Sequence, residues 1–199
     1  MTGSGNTFSA TIPAMPDGTE VSFTVSVENE AGFVTTSDKY SFKVGDPATD
    51  WSKLKLNEVY GAGADEEKFF ELYNASDYPI KLTGVTISKD EGNCWTGIDG
   101  EVVPAKGFFV IQGTKRSLER SLSSGVSAKK GVKLEVFDPD GKSVTSVQHG
   151  DPADATVAIA IHTGIWARIP DGGAWKNVTN PTAGKANDAT GAQDDAQLK

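Results

Sequence analysis

Apolar and polar residues alternate with a period of two over much of this chain, the signature of strands with one buried face. Val21, Phe23, Val25 and Val27 are interleaved with Ser22, Thr24 and Ser26. Phe8, Ala10 and Ile12 alternate before them, and Tyr40, Phe42 and Val44 alternate after them. Pro13 to Gly18 and Asn29 to Gly32 carry turn residues, so residues 7–44 read as three strands. Gly45-Asp46-Pro47-Ala48-Thr49-Asp50 then reads as a linker.

A second series follows the linker. Leu54 to Val59, Lys68 to Asn74 and Ile80 to Ile87 are strand-like, with a glycine-rich turn, Gly61-Ala62-Gly63, after the first. Phe108-Phe109-Val110-Ile111 is an unbroken apolar run, suited to a strand buried on both faces. Val132, Leu134 and Val136 alternate with Lys133 and Glu135. Asp138-Pro139-Asp140-Gly141 offers a turn with proline second and glycine fourth, and Lys142 to Gln148 return as the hairpin partner. Val157, Ile159 and Ile161 alternate with alanines. The only helical candidate, Lys115 to Ser123, is short and weak. Ala189 to Lys199 is small and polar and reads as a disordered tail.

Composition supports strands over helices: Gly, Thr, Ser and Val are plentiful and long runs of helix formers are scarce. A length of 199 residues allows one domain with extensions or two small ones. The net charge of −8 argues against a general nucleic-acid binder, which needs clustered Lys and Arg. That charge is uneven, at −5 over residues 1–50, −1 over 51–187 and −2 over 188–199. The single cysteine, Cys94, excludes an internal disulfide and a Cys-rich zinc site, and reads as a small buried apolar residue. No apolar run approaches the ~20 residues that span a bilayer. Met1-Thr2-Gly3-Ser4-Gly5 has no signal-peptide character and reads as an artificial start.

The residues of the second series converge on a family. Leu56-Asn57-Glu58-Val59, Phe70-Glu71-Leu72-Tyr73-Asn74, Ile80-Lys81-Leu82-Thr83-Gly84-Val85, Trp95 and Val103 to Ile111 follow one another in order. Arg168-Ile169-Pro170-Asp171-Gly172-Gly173, Trp175, Asn180-Pro181-Thr182-Ala183-Gly184 and Asn187 close the pattern. This stretch resembles a lamin tail domain, an immunoglobulin-like β-sandwich. Residues 114–130 and 151–165 exceed a minimal version and read as surface insertions. Residues 7–44 resemble the last three strands of a fibronectin type III or immunoglobulin-like domain whose earlier strands are missing. The expected fold is therefore all-β. Residues 1–49 form an incomplete immunoglobulin-like segment with a linker, 50–187 a sandwich, and 188–199 a tail. The resemblance implies an interaction and attachment module in a bacterial, surface or secreted setting, and does not imply a catalytic activity.

Each residue type that could carry chemistry has a structural reading beside it. Glu58 and Glu71 could pair for glycoside hydrolysis, or hydrogen-bond backbone groups at strand ends or face solvent. Asp138 and Asp140 open like a calcium loop, but its later ligands are absent and hairpin chemistry explains the turn. His149 and His162 lack the nucleophile elbow of a serine hydrolase. Lys115, Arg116, Arg120, Lys129, Lys130 and Lys133, with one acid, Glu119, form either an anion-binding stretch or a solvated loop. Trp95 and Trp175 occupy core motif positions, which leaves Trp51 and Trp166 as the candidates for an exposed sugar-stacking surface.

No catalytic residue, cofactor or metal is expected. The leading expectation is a non-enzymatic adhesion, binding or scaffolding module of a larger exported bacterial protein, at the cell surface or outside the cell. Its partner would be a protein or a cell-surface polymer, and the N-terminal strands could self-associate. The alternatives are a substrate-targeting domain of an extracellular hydrolase and a nucleic-acid or anion-binding domain acting through residues 115–133.

Overall fold

The computed structural model describes residues 2–5, 7–16, 18–45, 48–126, 130–151, 153 and 164–199. The chain divides into two compact units, Met1–Ala48 and Thr49–Lys199.

The first unit is built from hairpins. β1 (Thr2–Ser4) pairs with β2 (Thr7–Ser9). β3 (Glu20–Phe23) and β4 (Ser26–Glu28) pair with β6 (Tyr40–Lys43) and β5 (Val34–Thr36), respectively. The run expected as one strand over 21–27 is thus broken at Thr24 and Val25. There Ser37 N donates to Val25 O at 2.8 Å, and Ser37 Oγ accepts from Val25 N at 3.0 Å. The returning arm splits likewise, and Val34–Thr36 is a strand that alternation did not indicate. Opposite pairs Val21–Phe42 and Phe23–Tyr40 share one face, with the Phe23 and Tyr40 rings stacked 5.4 Å apart. Phe23, Tyr40 and Phe42 nevertheless remain exposed.

The second unit carries one 3₁₀ turn (Trp51–Lys53) and eleven strands among its described residues. These are β7 (Leu54–Tyr60), β8 (Phe69–Asn74), β9 (Ile80–Lys81), β10 (Thr86–Lys89), β11 (Gly92–Thr96), β12 (Val102–Val103), β13 (Phe108–Gln112), β14 (Val132–Phe137), β15 (Ser143–His149), β16 (Ile165–Ile169) and β17 (Ala174–Asn177). A five-stranded sheet runs β13-β8-β7-β16-β17, a four-stranded sheet runs β11-β10-β14-β15, and β12 pairs with β9. Leu54, Leu56, Phe70 and Leu72 of the first sheet share one core with Ile87, Leu134, Val136 and Val147 of the second. This is a nearly all-β, immunoglobulin-like sandwich. No helix among the described residues is long and apolar enough to cross a membrane.

A bulge in β7 decides which side chains face the core. Leu54 and Leu56 point inward, and strict alternation would send Glu58 after them. The register slips between Leu56 and Glu58. Asn57 is the extra residue, so Val59 returns to the core and Glu58 turns to the opposite face, directly across from Glu71.

Several expectations change. Phe108–Gln112 lies at the edge of its sheet, and Phe108, Phe109 and Val110 are half-buried rather than enclosed on both faces. The helical candidate at 115–123 is a turn-rich loop, because Lys115, Arg116 and Arg120 all take positive φ, which no α-helix admits. Residues 114–130 are not purely a surface insertion, since Leu122 and Val126 enter the core and Val126 approaches so close that a Cβ on Gly61 would lie 2.6 Å from it. The Val157–Ile161 run and His162 lie outside the described residues. The segment read as a disordered tail pairs with the sandwich: Gln193 bridges Asn177, Leu198 bridges His149 and packs on the core, and Lys199 exchanges backbone hydrogen bonds with Gln148. Leu198 supplies the apolar anchor and Asp195 the polar one.

Trp166, expected to be exposed, is 1% exposed and meets His149 edge to face at 4.7 Å. Trp175, expected to close the core, is half-buried under the Arg168 guanidinium at 4.7 Å. Trp166→Ala should therefore cost about 3–5 kcal/mol, the range for a buried large aromatic. Trp175→Ala should cost about 1–2 kcal/mol, since part of that ring is already in water. Guanidinium unfolding of the two variants checks the order, and equal losses would contradict these placements.

Candidate functional site

The outer face of the five-stranded sheet holds the most concentrated polar chemistry in the second unit. Glu58 on β7 and Glu71 on β8 sit opposite each other there, both 0% exposed. The chain between β16 and residue 188 folds over them. Thr182 N donates to Glu58 Oε1 and Oε2 at 2.9 and 3.1 Å, and Gly184 N donates to Glu71 Oε2 at 2.7 Å. Asn57 Nδ2 bridges Glu71 Oε1 and Asp171 Oδ1 at 3.1 and 3.0 Å, while its Oδ1 accepts from Gly172 N at 2.9 Å. Asn187 N donates to Asp171 Oδ1 at 3.1 Å.

Three carboxylates thus gather with no Lys or Arg ion-paired to any of them among the described residues. Burial pushes the Glu71 carboxyl up to about 7, held back by the Asn57 and Gly184 donors and pushed further by the charges of Glu58 and Asp171. Burial also raises Glu58, against the bonds from Thr182. The geometry agrees. Thr182 Oγ1 lies 2.8 Å from Glu58 Oε2 and 2.9 Å from Asn187 Oδ1. The Asn187 amide nitrogen is committed to the carbonyls of Asn57 and Arg168, so its oxygen must face the hydroxyl. One hydroxyl proton cannot fully serve both acceptors, so the bond from Thr182 offsets only part of the burial that raises Glu58. Among the described residues no group of three or more His, Cys, Asp or Glu is placed to hold a metal ion.

Arg168 ties the layers together from β16. Its Nε donates to Leu56 O at 2.8 Å, its Nη1 to Gly173 O at 2.6 Å, and its Nη2 to Thr145 Oγ1 at 3.3 Å. At the other end, His149 Nε2 lies 2.7 Å from Asp195 Oδ2, which also accepts from Asn177 Nδ2 at 2.7 Å. Burial alone would raise the Asp195 carboxyl, but the bonds from Gln197, Asn177 and His149 outweigh it and hold the group below its usual value. His149 is 0% exposed and serves to anchor the terminal segment.

The basic stretch is dispersed among separate partners. Lys115 and Lys68 both reach Asp65, at 3.2 and 2.9 Å, and these two bonds hold its carboxyl at about 2. Arg120 grips Glu101 with Nε and Nη2 at 3.1 and 3.0 Å and lies 5.4 Å over the Trp95 ring. Lys133 pairs with Glu135 at 2.7 Å. Arg116 and Lys130 are exposed without an ion pair among the described residues, and Lys129 lies outside them. The Asp138 carboxylate accepts from the backbone N of Asp140 and Lys142 at 3.0 and 2.9 Å, so it holds the hairpin turn. Cys94 is buried, and burial pushes its thiol up to about 12. Trp51 is half-buried and forms one wall of a groove of about 350 Å³.

The carboxylate network gives stability a definite pH dependence. A folded-state pKa raised above the unfolded value contributes stability below the unfolded pKa, and that contribution is lost as pH rises through the folded one. For Glu71 the window runs from about 4.5 to about 7. The lowered Asp65 and Asp195 act only in acid, below this window. Stability should fall by on the order of 2–3 kcal/mol between pH 5 and pH 8. Glu71→Gln should flatten that slope, although its amide meets one of the two donors and lowers stability throughout. Thermal melts across this range check it, and a profile that rises with pH would reverse the assignment.

Residues 47–151, more than half of the chain, match the model of the Lamin Tail Domain family. No curated protein and no solved structure matches the chain. The matched span ends before β16, and residues 168–187 join it through the bonds to Asn57, Glu58 and Glu71. With the sandwich and this match together, the chain belongs to the lamin tail domain family.

Proposed function

We propose that this chain is a non-enzymatic adhesion or scaffolding module of a larger exported bacterial protein, working at the cell surface or outside the cell. The observation that supports it best is the use of Glu58 and Glu71. They are the pair most suited to acid–base chemistry in the sequence, and both are fully buried and spent on backbone N–H groups of the covering segment. Catalysis needs such groups at a cleft within reach of substrate. A role as the targeting domain of an extracellular hydrolase is the same binding activity placed beside an enzyme. The anion-binding alternative through residues 115–133 is weakened, because Lys115, Arg120 and Lys133 already neutralise Asp65, Glu101 and Glu135.

The test is retention on isolated bacterial cell walls, run beside chromogenic glycosides, esters and phosphoesters. Saturable retention with no turnover is the expected result. A measured turnover abolished by Glu71→Gln would overturn the reading.

The first unit is the proposed self-association surface, as the closing strands of an immunoglobulin-like domain. Phe23, Tyr40 and Phe42 expose one aromatic face, and a lone hairpin is marginal in water. Sedimentation of the full chain should show concentration-dependent association that Phe23→Ser combined with Phe42→Ser reduces. A monomer at all concentrations would remove this role.

A further inference from the structure

The groove beside Trp51 has a composition that the adhesion reading does not use. Its walls come from the 3₁₀ turn and from the β14–β15 hairpin, and they bring together Asp50, Trp51, Ser52, Asp138, Lys142 and Ser143. Both walls are braced internally. Asp50 Oδ1 accepts from Ser52 N and Oγ at 3.0 and 2.6 Å, which fixes the turn that presents the indole. Asp138 Oδ1 accepts from Asp140 and Lys142, which fixes the hairpin tip. Each carboxylate spends only Oδ1 in this way. Among the described residues Oδ2 of Asp50, Oδ2 of Asp138, the Lys142 ammonium and Trp51 Nε1 make no hydrogen bond or ion pair.

We propose that this groove binds a pyranose unit of a neutral polysaccharide. The assignment rests on the reading of the domain as a binding module and names its ligand class. A pyranose has an apolar C–H face, which packs on an indole, and a rim of hydroxyls that both donate and accept. Two carboxylate oxygens accept from such hydroxyls, an ammonium and an indole N–H donate to them, and the Ser52 oxygen, its proton given to Asp50, can accept as well. The volume of about 350 Å³ lies at the small end of ligand sites, the scale of one or two sugar rings. Charge excludes the main rivals. Two carboxylates against one ammonium repel a phosphate, sulfate or uronate, and the ammonium together with a single aromatic wall disfavours a quaternary cation. The preformed walls keep the ordering cost of binding low.

Affinity electrophoresis of the full chain tests this, in native gels containing soluble xylan, mixed-linkage β-glucan, glucomannan or dextran, with dextran sulfate as the anionic arm. Retardation in at least one neutral gel is expected. Trp51→Ala should weaken it about tenfold, the scale of one lost stacking contact. Lys142→Ala, at an exposed position outside the core, should weaken it several-fold without changing the melting temperature, so the proposal stays testable if Trp51→Ala fails to fold. Unretarded migration in every neutral gel, retardation in dextran sulfate alone, or retardation unchanged in Lys142→Ala and in a folded Trp51→Ala would each overturn it. Failure here with cell-wall retention intact removes only the sugar assignment, whereas loss of both removes the binding-module reading as well.

Discussion

The second unit depends on burying two carboxylates, with a third beside them, without a cation. Glu58 and Glu71 could not sit under the covering segment as bare charges, because an isolated buried carboxylate is very costly. The bulge at Asn57 makes the arrangement workable. It turns Glu58 away from the apolar core, and it places an amide that joins Glu71 to Asp171 while accepting from Gly172. Backbone N–H groups of Thr182 and Gly184 and the Thr182 hydroxyl do the rest. Between them these groups hold the segment after β16, and that segment in turn keeps water off the outer face of the sheet.

Alternation was legible wherever a strand had one face in the core and an ordinary turn. β14 and β15 follow it closely, with Val132, Leu134 and Val136 buried around a turn that ends in Gly141 at φ +80°. β11 escaped because the hairpin before it turns through Asp90 and Glu91, both at positive φ, where Asn-Gly would have announced it. The Phe108–Ile111 run was misread for a different reason. Continuous apolar sequence marks burial on both faces only for a central strand, and topology puts this one at an edge. The tail was misread because small polar residues look alike whether solvated or docked, and two residues, Asp195 and Leu198, made the difference.

The polar residues show the same divide. Glu58 and Glu71 stand out in the sequence as motif positions, and hydrogen bonding to backbone groups was one of their readings beside catalysis and solvent exposure. The donors are 113 and 124 residues away, beyond any local pattern. The basic stretch looks coherent only when read linearly. In space its members answer Asp65 and Glu101, from two other parts of the chain, and Glu135, two residues along the same strand. Trp166 and Trp175 lie on the same face of the β16–β17 pair, but β17 is the edge strand, so the core encloses the first indole and covers only part of the second.

The span of these bonds also has a kinetic side. Asn57 is 115 residues from Gly172 and 130 from Asn187, and Glu58 is 124 from Thr182. Contacts between distant parts of a chain must bear the entropy of closing long loops before they return any stability, and folds dominated by them form slowly. On a ribosome, β7 and β8 emerge long before Thr182, Gly184 and Asn187 do. Until that segment arrives, the outer face of the sheet remains wet and its glutamates ionised. Completion of the domain is therefore a late event, timed by the synthesis of its last strand and the loop that follows.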